Sequence, residues 1–168
     1  MPQMAPHLQT EGLSLTASTM AMAYIGAMGV FSKLFFGRLS ERFSSILMTC
    51  ISVALQATGL VLILIAQGNI LGIWIGIIVF GIGFGGLGAL ISLNVTECFG
   101  LKSFSSIWGA LTFFGIWSTF LAPWMMGRIF DTTSSYRMAH AIVIIIFLLG
   151  ILFLLLTRLS NKRNFLIK

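Results

Sequence analysis

Apolar positions run in five long blocks, Leu13–Phe36, Ile46–Ala66, Ile70–Leu93, Phe104–Met126 and Ala139–Thr157, and short hinges between them hold nearly all the charge. Each block is about 19–24 residues long, the length an α-helix needs to cross a hydrocarbon layer about 30 Å thick. Inside lipid a backbone must satisfy its own hydrogen bonds, so runs of this length predict helices. The expected fold class is therefore all-α, a polytopic transmembrane helix bundle of five spans.

Composition agrees with that expectation. Hydrophobic residues make up 58% of the 168 and charged residues 8%, against roughly 25% charged in an average soluble domain. The net charge of +6 does not form one basic face. Its lysines and arginines sit at the ends of the apolar blocks, where a membrane protein needs them, and no nucleic-acid partner is expected. Met1–Gly12 has no basic residue and does not resemble a signal peptide. Cys50 lies in the second block and Cys98 just after the third, a spacing that suits neither a disulfide framework nor a zinc site.

The charge asymmetry predicts an orientation. Lys33, Arg38, Arg42, Lys102, Arg158, Lys162, Arg163 and Lys168 fall on one side, and only Arg128 and Arg137 on the other. By the positive-inside rule the larger group faces the cytoplasm. The chain then divides into an extracytoplasmic segment 1–12, a bundle over 13–157 and a basic cytoplasmic tail 158–168, integral to the plasma membrane. An odd number of spans with the N-terminus outside leads us to expect that a preceding helix is absent from this chain.

The densest charged element is Lys33–Arg42, K-L-F-F-G-R-L-S-E-R. It resembles the loop written G-x-L-x-D-R-x-G-R in the major facilitator superfamily, through Gly37, Leu39, Glu41 and Arg42. Lys33 stands where organic-acid porters often carry arginine. Glutamate replaces aspartate here, and Ser44 and Ser45 stand in place of the glycine and the final basic residue. Further stretches follow in the family's order. Gly12-Leu13-Ser14 resembles the opening of the second helix of a six-helix half, and Phe80–Phe99 the glycine-rich fourth helix, ending in Glu97, Phe99 and Gly100. Ser103–Gly109 is similar to the F-G-x-x-x-G stretch, and Pro123–Tyr136 to the link between helices five and six.

The resemblance covers about Gly12–Thr157 and implies a partial six-helix half-domain, helices eight to twelve of a transporter similar to organic-acid and monocarboxylate porters. It also implies a conformational latch at Gly37, Arg38, Glu41 and Arg42, with the acid meeting a basic partner or a helix N-terminus. The implied partners are the lipid bilayer, a missing N-terminal transporter half or another membrane chain, and a small-molecule substrate.

Other motifs read more plainly. Gly81, Gly83 and Gly86 spell the dinucleotide fingerprint G-x-G-x-x-G, but inside an apolar helix with no preceding strand it has no such meaning. Gly72/Gly76 and Gly81/Gly85 are expected to bring helix backbones together as small-xxx-small pairs. Asn94-Val95-Thr96 falls at the cytoplasmic face and is not expected to be glycosylated. Pro123 is expected to bend or end its helix. Asp131 and His140 bracket Tyr136 and Arg137, and pairing within that loop is the default expectation.

No acidic, basic or histidine residue sits near the middle of any span. A charge there is usually functional, so a proton relay is not expected in this chain. The last span, almost entirely Ile, Leu, Phe and Val, reads as lipid-facing, leaving the first, third and fourth as the lining. Candidate substrate-cavity residues are Tyr24, Lys33, Thr112 and Ser118. For each hydroxyl a bond to neighbouring backbone is an equally good reading. Without a nucleophile, an acid–base pair or a ligand cluster, no catalytic residue, metal or cofactor is expected. Two functions follow: a fragment of a secondary transporter moving a small solute, with organic anions as the candidate class, or a non-transporting membrane assembly subunit.

Overall fold

A computed structural model describes residues 4–165 as six α-helices and one short 3-10 turn, with no strand among the described residues. In order these are α1 (Met4–Thr10), α2 (Leu15–Ser40), α3 (Ser45–Ala66), α4 (Ile70–Phe99), the 3-10 turn Leu101–Ser103, α5 (Phe104–Thr133) and α6 (Arg137–Phe165). The protein is an all-α bundle in which α2 to α6 are each long and apolar enough to cross a membrane. Helices α4 and α5 have 30 residues each, about 45 Å at 1.5 Å per residue, and so outrun the apolar blocks that predict them.

Local chemistry sets the helix ends. Ser14 caps α2 by accepting the Ala17 N–H at 3.2 Å. Helix α3 ends at Gln67 in the left-handed region (φ 44°), and Gly68 follows at φ +85°. Asn69 then opens α4, its Oδ1 accepting the N–H groups of Leu71 at 3.1 Å and Gly72 at 3.5 Å. Three residues therefore reverse the chain between two spans, and only a glycine takes the second position without strain. Pro123 lies inside α5, which continues past it to Thr133.

Helix α4 is the centre of the bundle. It packs along α3 on one side and α2 on the other, α6 lies against α3, and α5 barely touches its neighbours. The main core joins Leu8, Ile25, Leu60, Ile63, Ile73, Ile77 and Phe80 from four helices. A smaller one joins Phe36, Met48 and Leu90 near the basic hinge.

Within the segment before α2, Met4–Thr10 is more than a free tail. Its helix α1 is docked into the bundle, with Met4, His7 and Leu8 buried.

Candidate functional site

The glycines of α4 lie where the close packing is. A Cβ at Gly72 would stand 3.0 Å from Ala66, and one at Gly76 would be 2.6 Å from Ile63 and 2.9 Å from the Gly59 carbonyl, all on α3. Gly81 faces Ile25 and Met28 on α2, and a Cβ at Gly85 would overlap the backbone of Gly29. Gly72/Gly76 thus serve α3, while Gly81/Gly85 serve α2. Gly59 and Gly29 complete the pairs from the opposite helices.

Polar side chains bond across the same seam. Buried Ser52 of α3 donates to the Gly83 carbonyl at 2.6 Å, and Gln56 reaches that carbonyl at 3.5 Å. Ser32 of α2 donates to the Ile82 carbonyl. Small residues let the backbones approach, and the hydroxyls then reach carbonyls that lipid cannot satisfy.

At the basic end a second network forms. Glu97, near the end of α4, accepts the Ser45 N–H at 2.9 Å and the Ser44 hydroxyl at 3.2 Å, and also accepts from the Ser45 hydroxyl. Ser45 Oγ lies 2.6 Å from Asn94 Oδ1, and Asn94 Nδ2 donates to Thr49 at 2.8 Å. Ser44 makes no capping bond to its own helix, so Glu97 supplies an acidic cap to the N-terminus of α3 from a neighbouring helix. Serines 44 and 45, where the sequence departs from the loop it resembles, are the residues that hold this carboxylate. Gly37, Arg38, Glu41 and Arg42 lie just before them. Gly37 is half-buried, and Arg38, Glu41 and Arg42 are exposed.

At the opposite end, His7 and His140 are buried and stacked, with ring centroids 4.2 Å apart and planes inclined by 29°. His140 Nδ1 donates to the Tyr136 carbonyl at 2.9 Å, whereas both ring nitrogens of His7 are buried with no hydrogen-bond partner among the described residues. Burial holds the His7 imidazole well below its ordinary value, down to about 4, with smaller contributions from His140 and Arg137. Arg137 pairs with Glu11 at 3.1 Å and donates to the Leu64 carbonyl at 3.3 Å. The expectation that this loop pairs within itself holds for His140 on the Tyr136 carbonyl and is corrected for Arg137, which takes Glu11 from across the fold, while Asp131 stays exposed near the end of α5.

The cavity candidates are spread out. Tyr24 is half-buried edge-on to Trp74, with centroids 6.5 Å apart, and Lys33 is exposed on α2. Thr112 and Ser118 are exposed on α5 and donate to their own helix, to Trp108 at 2.8 Å and Phe114 at 3.2 Å. The four therefore do not converge on one cavity, and the hydroxyls' bonds to backbone are of the local kind. Thr112, Gly115, Ile116 and Thr119 line an open groove along one face of α5. A separate cavity of about 240 Å³ lies between Met4, Gln56, Met126 and His140, among mostly apolar neighbours.

Sequence reasoning passed over His7, Glu97 as a cap, and Ser32. A histidine in a short polar segment carries no local signal of burial, and a cap supplied from another helix leaves no mark at the helix it caps. Among the described residues, no group of three or more His, Cys, Asp or Glu is placed to hold a metal ion. Comparison of the chain with family models, with curated proteins and with solved structures finds no match.

Proposed function

We propose that the chain is part of a secondary transporter of the major facilitator type, moving a small solute by alternating access, with organic anions as a candidate class that rests on the resemblance at Lys33–Arg42 alone. The observation that carries this reading is the contrast within one bundle. Helices α2, α3 and α4 form a closed body through paired glycines and buried hydroxyls. Helix α5 leaves a face of Thr112, Gly115 and Thr119 uncovered. A transporter half needs a rigid body to rock and a less apolar helix turned toward the opposing half. The order of the motifs from Gly12 to Tyr136 supports the same reading. The basic end, with Lys33, Arg38, Arg42 and Lys102, faces the cytoplasm, and α1 lies on the other side of the plasma membrane.

In this reading the Lys33–Arg42 hinge and the Glu97 clasp sit together on the inner face. Breaking the clasp frees the α2–α3 hinge to follow the motion of the facing half. By itself the chain transports nothing, because the opposing wall of the site is not in it.

Purification under mild solubilisation, followed by reconstitution in liposomes, tests the proposal. A stoichiometric complex with a chain carrying the opposing helices, active in saturable counterflow of a labelled carboxylate, is the expected result. Saturable uptake by the isolated chain, or a stoichiometric partner without transporter helices, overturns it. The second outcome favours the assembly-subunit reading, which draws on the same uncovered face of α5.

A further inference from the structure

We propose that α1 is an acid-released latch: the neutral His7–His140 stack holds it on the bundle, and protonation of His7 drives it off. The geometry carries the argument. Both imidazoles are buried and face each other at 4.2 Å, so a second proton on this pair places like charges in contact without water between them. Neither nitrogen of His7 has an acceptor that would welcome a new N–H. The planes are close to parallel, which directs the in-plane lone pairs side by side and not toward a shared ion.

Among the described residues the surroundings offer no uncommitted anion. From the turn before α6 the ring is faced by Tyr136 and from α6 by Arg137 and His140, and the Arg137 guanidinium adds positive charge. Glu11, the carboxylate of the α1–α2 corner, is already engaged by Arg137. The first half of α2 (residues 15–28) has Tyr24 as its only titratable side chain, and the end of α3 with the turn to Asn69 has none. Arg128 and Asp131, near the end of α5, are exposed.

Release withdraws Met4 and Leu8 from the main core. Helix α1 has seven residues, too few to stay helical once it leaves the bundle, and it joins α2 through Gly12 at φ +98°. Its departure takes Met4 off the cavity of about 240 Å³ that also reaches His140 and Gln56, and so opens that cavity at the α1 end.

The sign of the pH dependence follows from the depressed value of the docked ring. Docking is fully favoured above the ordinary histidine value of 6.5, weakens as pH falls below it, and levels off below about 4. Between pH 7.5 and pH 5.0 the docking constant should fall about thirty-fold.

Hydrogen–deuterium exchange on the full chain in detergent micelles, corrected for intrinsic rates, reads this directly. The relevant amides are Glu11, Gly12 and Leu13, which bond to the His7, Gln9 and Leu8 carbonyls. Their protection should drop about thirty-fold from pH 7.5 to pH 5.0 while Leu60 and Ile63 in α3 stay protected. In His7→Phe, which keeps a stacking ring but cannot titrate, the drop should vanish; His7→Gln serves if that variant does not fold. A change below about threefold in the wild-type chain, an equal loss in the variant, or parallel loss of protection in α3 overturns the proposal.

Discussion

Helices α4 and α5 have the same length and both qualify as membrane spans, yet one is packed into the bundle and the other is not. Helix α4 buries Ile73, Gly76, Ile77, Phe80, Gly81, Gly83, Gly85, Gly86, Leu90 and Val95, whereas α5 buries no residue. Glycine content alone does not separate them, because α5 also has Gly109, Gly115 and Gly127 with open space where a Cβ would stand. What differs is the partner: each packed glycine of α4 meets a residue of α2 or α3 at close range, Gly59 and Gly29 among them. Polar groups follow the same division. Ser52 and Ser32 bond across to α4, while Thr112, Ser118 and Thr119 bond back to their own helix. A small or polar residue in a span becomes an interface only when a second helix arrives to meet it.

The most severe test of that contrast is Gly85→Leu. Its side chain would enter the Gly29 backbone, which has no rotamer to yield, so the bundle should lose about 3 kcal/mol or more. Gly115→Leu on α5 should change stability by no more than about 0.5 kcal/mol. Denaturant titration in micelles, followed by far-ultraviolet circular dichroism, compares the two, and equal losses would dissolve the distinction.

Glu97→Ala removes the cap that α3 receives from α4, and a loss of about 2 kcal/mol is expected. Glu41→Ala, on the exposed end of α2, should stay within about 0.5 kcal/mol in the same assay. A larger effect at Glu41 would mean that the hinge carboxylate, not Glu97, holds this end together.

Ser52→Ala deletes a buried interhelical bond and should lower stability by about 0.6 to 1.7 kcal/mol. Thr112→Ala deletes only a local bond on an exposed face and should be silent within about 0.5 kcal/mol. Smaller than the Ser52 effect is that of Glu11→Gln, which breaks a partly exposed ion pair with Arg137 and should reduce stability by about 0.2 to 1 kcal/mol, less at high salt.

Much of this architecture was legible beforehand. The five apolar blocks locate α2 to α6. The small-residue pairs Gly72/Gly76 and Gly81/Gly85 could be marked, but not which helix each would meet. The ends of α4, α5 and α6 could not be placed, because helices continue beyond the hydrocarbon layer on polar residues that keep their own backbone bonds. Nor could the docking of α1, since Met4–Thr10 has no membrane-length run and its burial depends on ring contacts with Tyr136 and His140 more than 120 residues away.

Hydrophobic length and the placement of charge fixed the solvent of these helices and their number, because lipid imposes those two conditions on each segment separately. Partnership was settled only in three dimensions: that α4 lies between α2 and α3, that Glu97 caps α3, and that His7 meets His140. Such contacts join residues far apart in the chain, and no local pattern encodes which of several apolar surfaces will find each other. Their selection rests on shape at close approach, as where the backbone of Gly29 fits against Gly85.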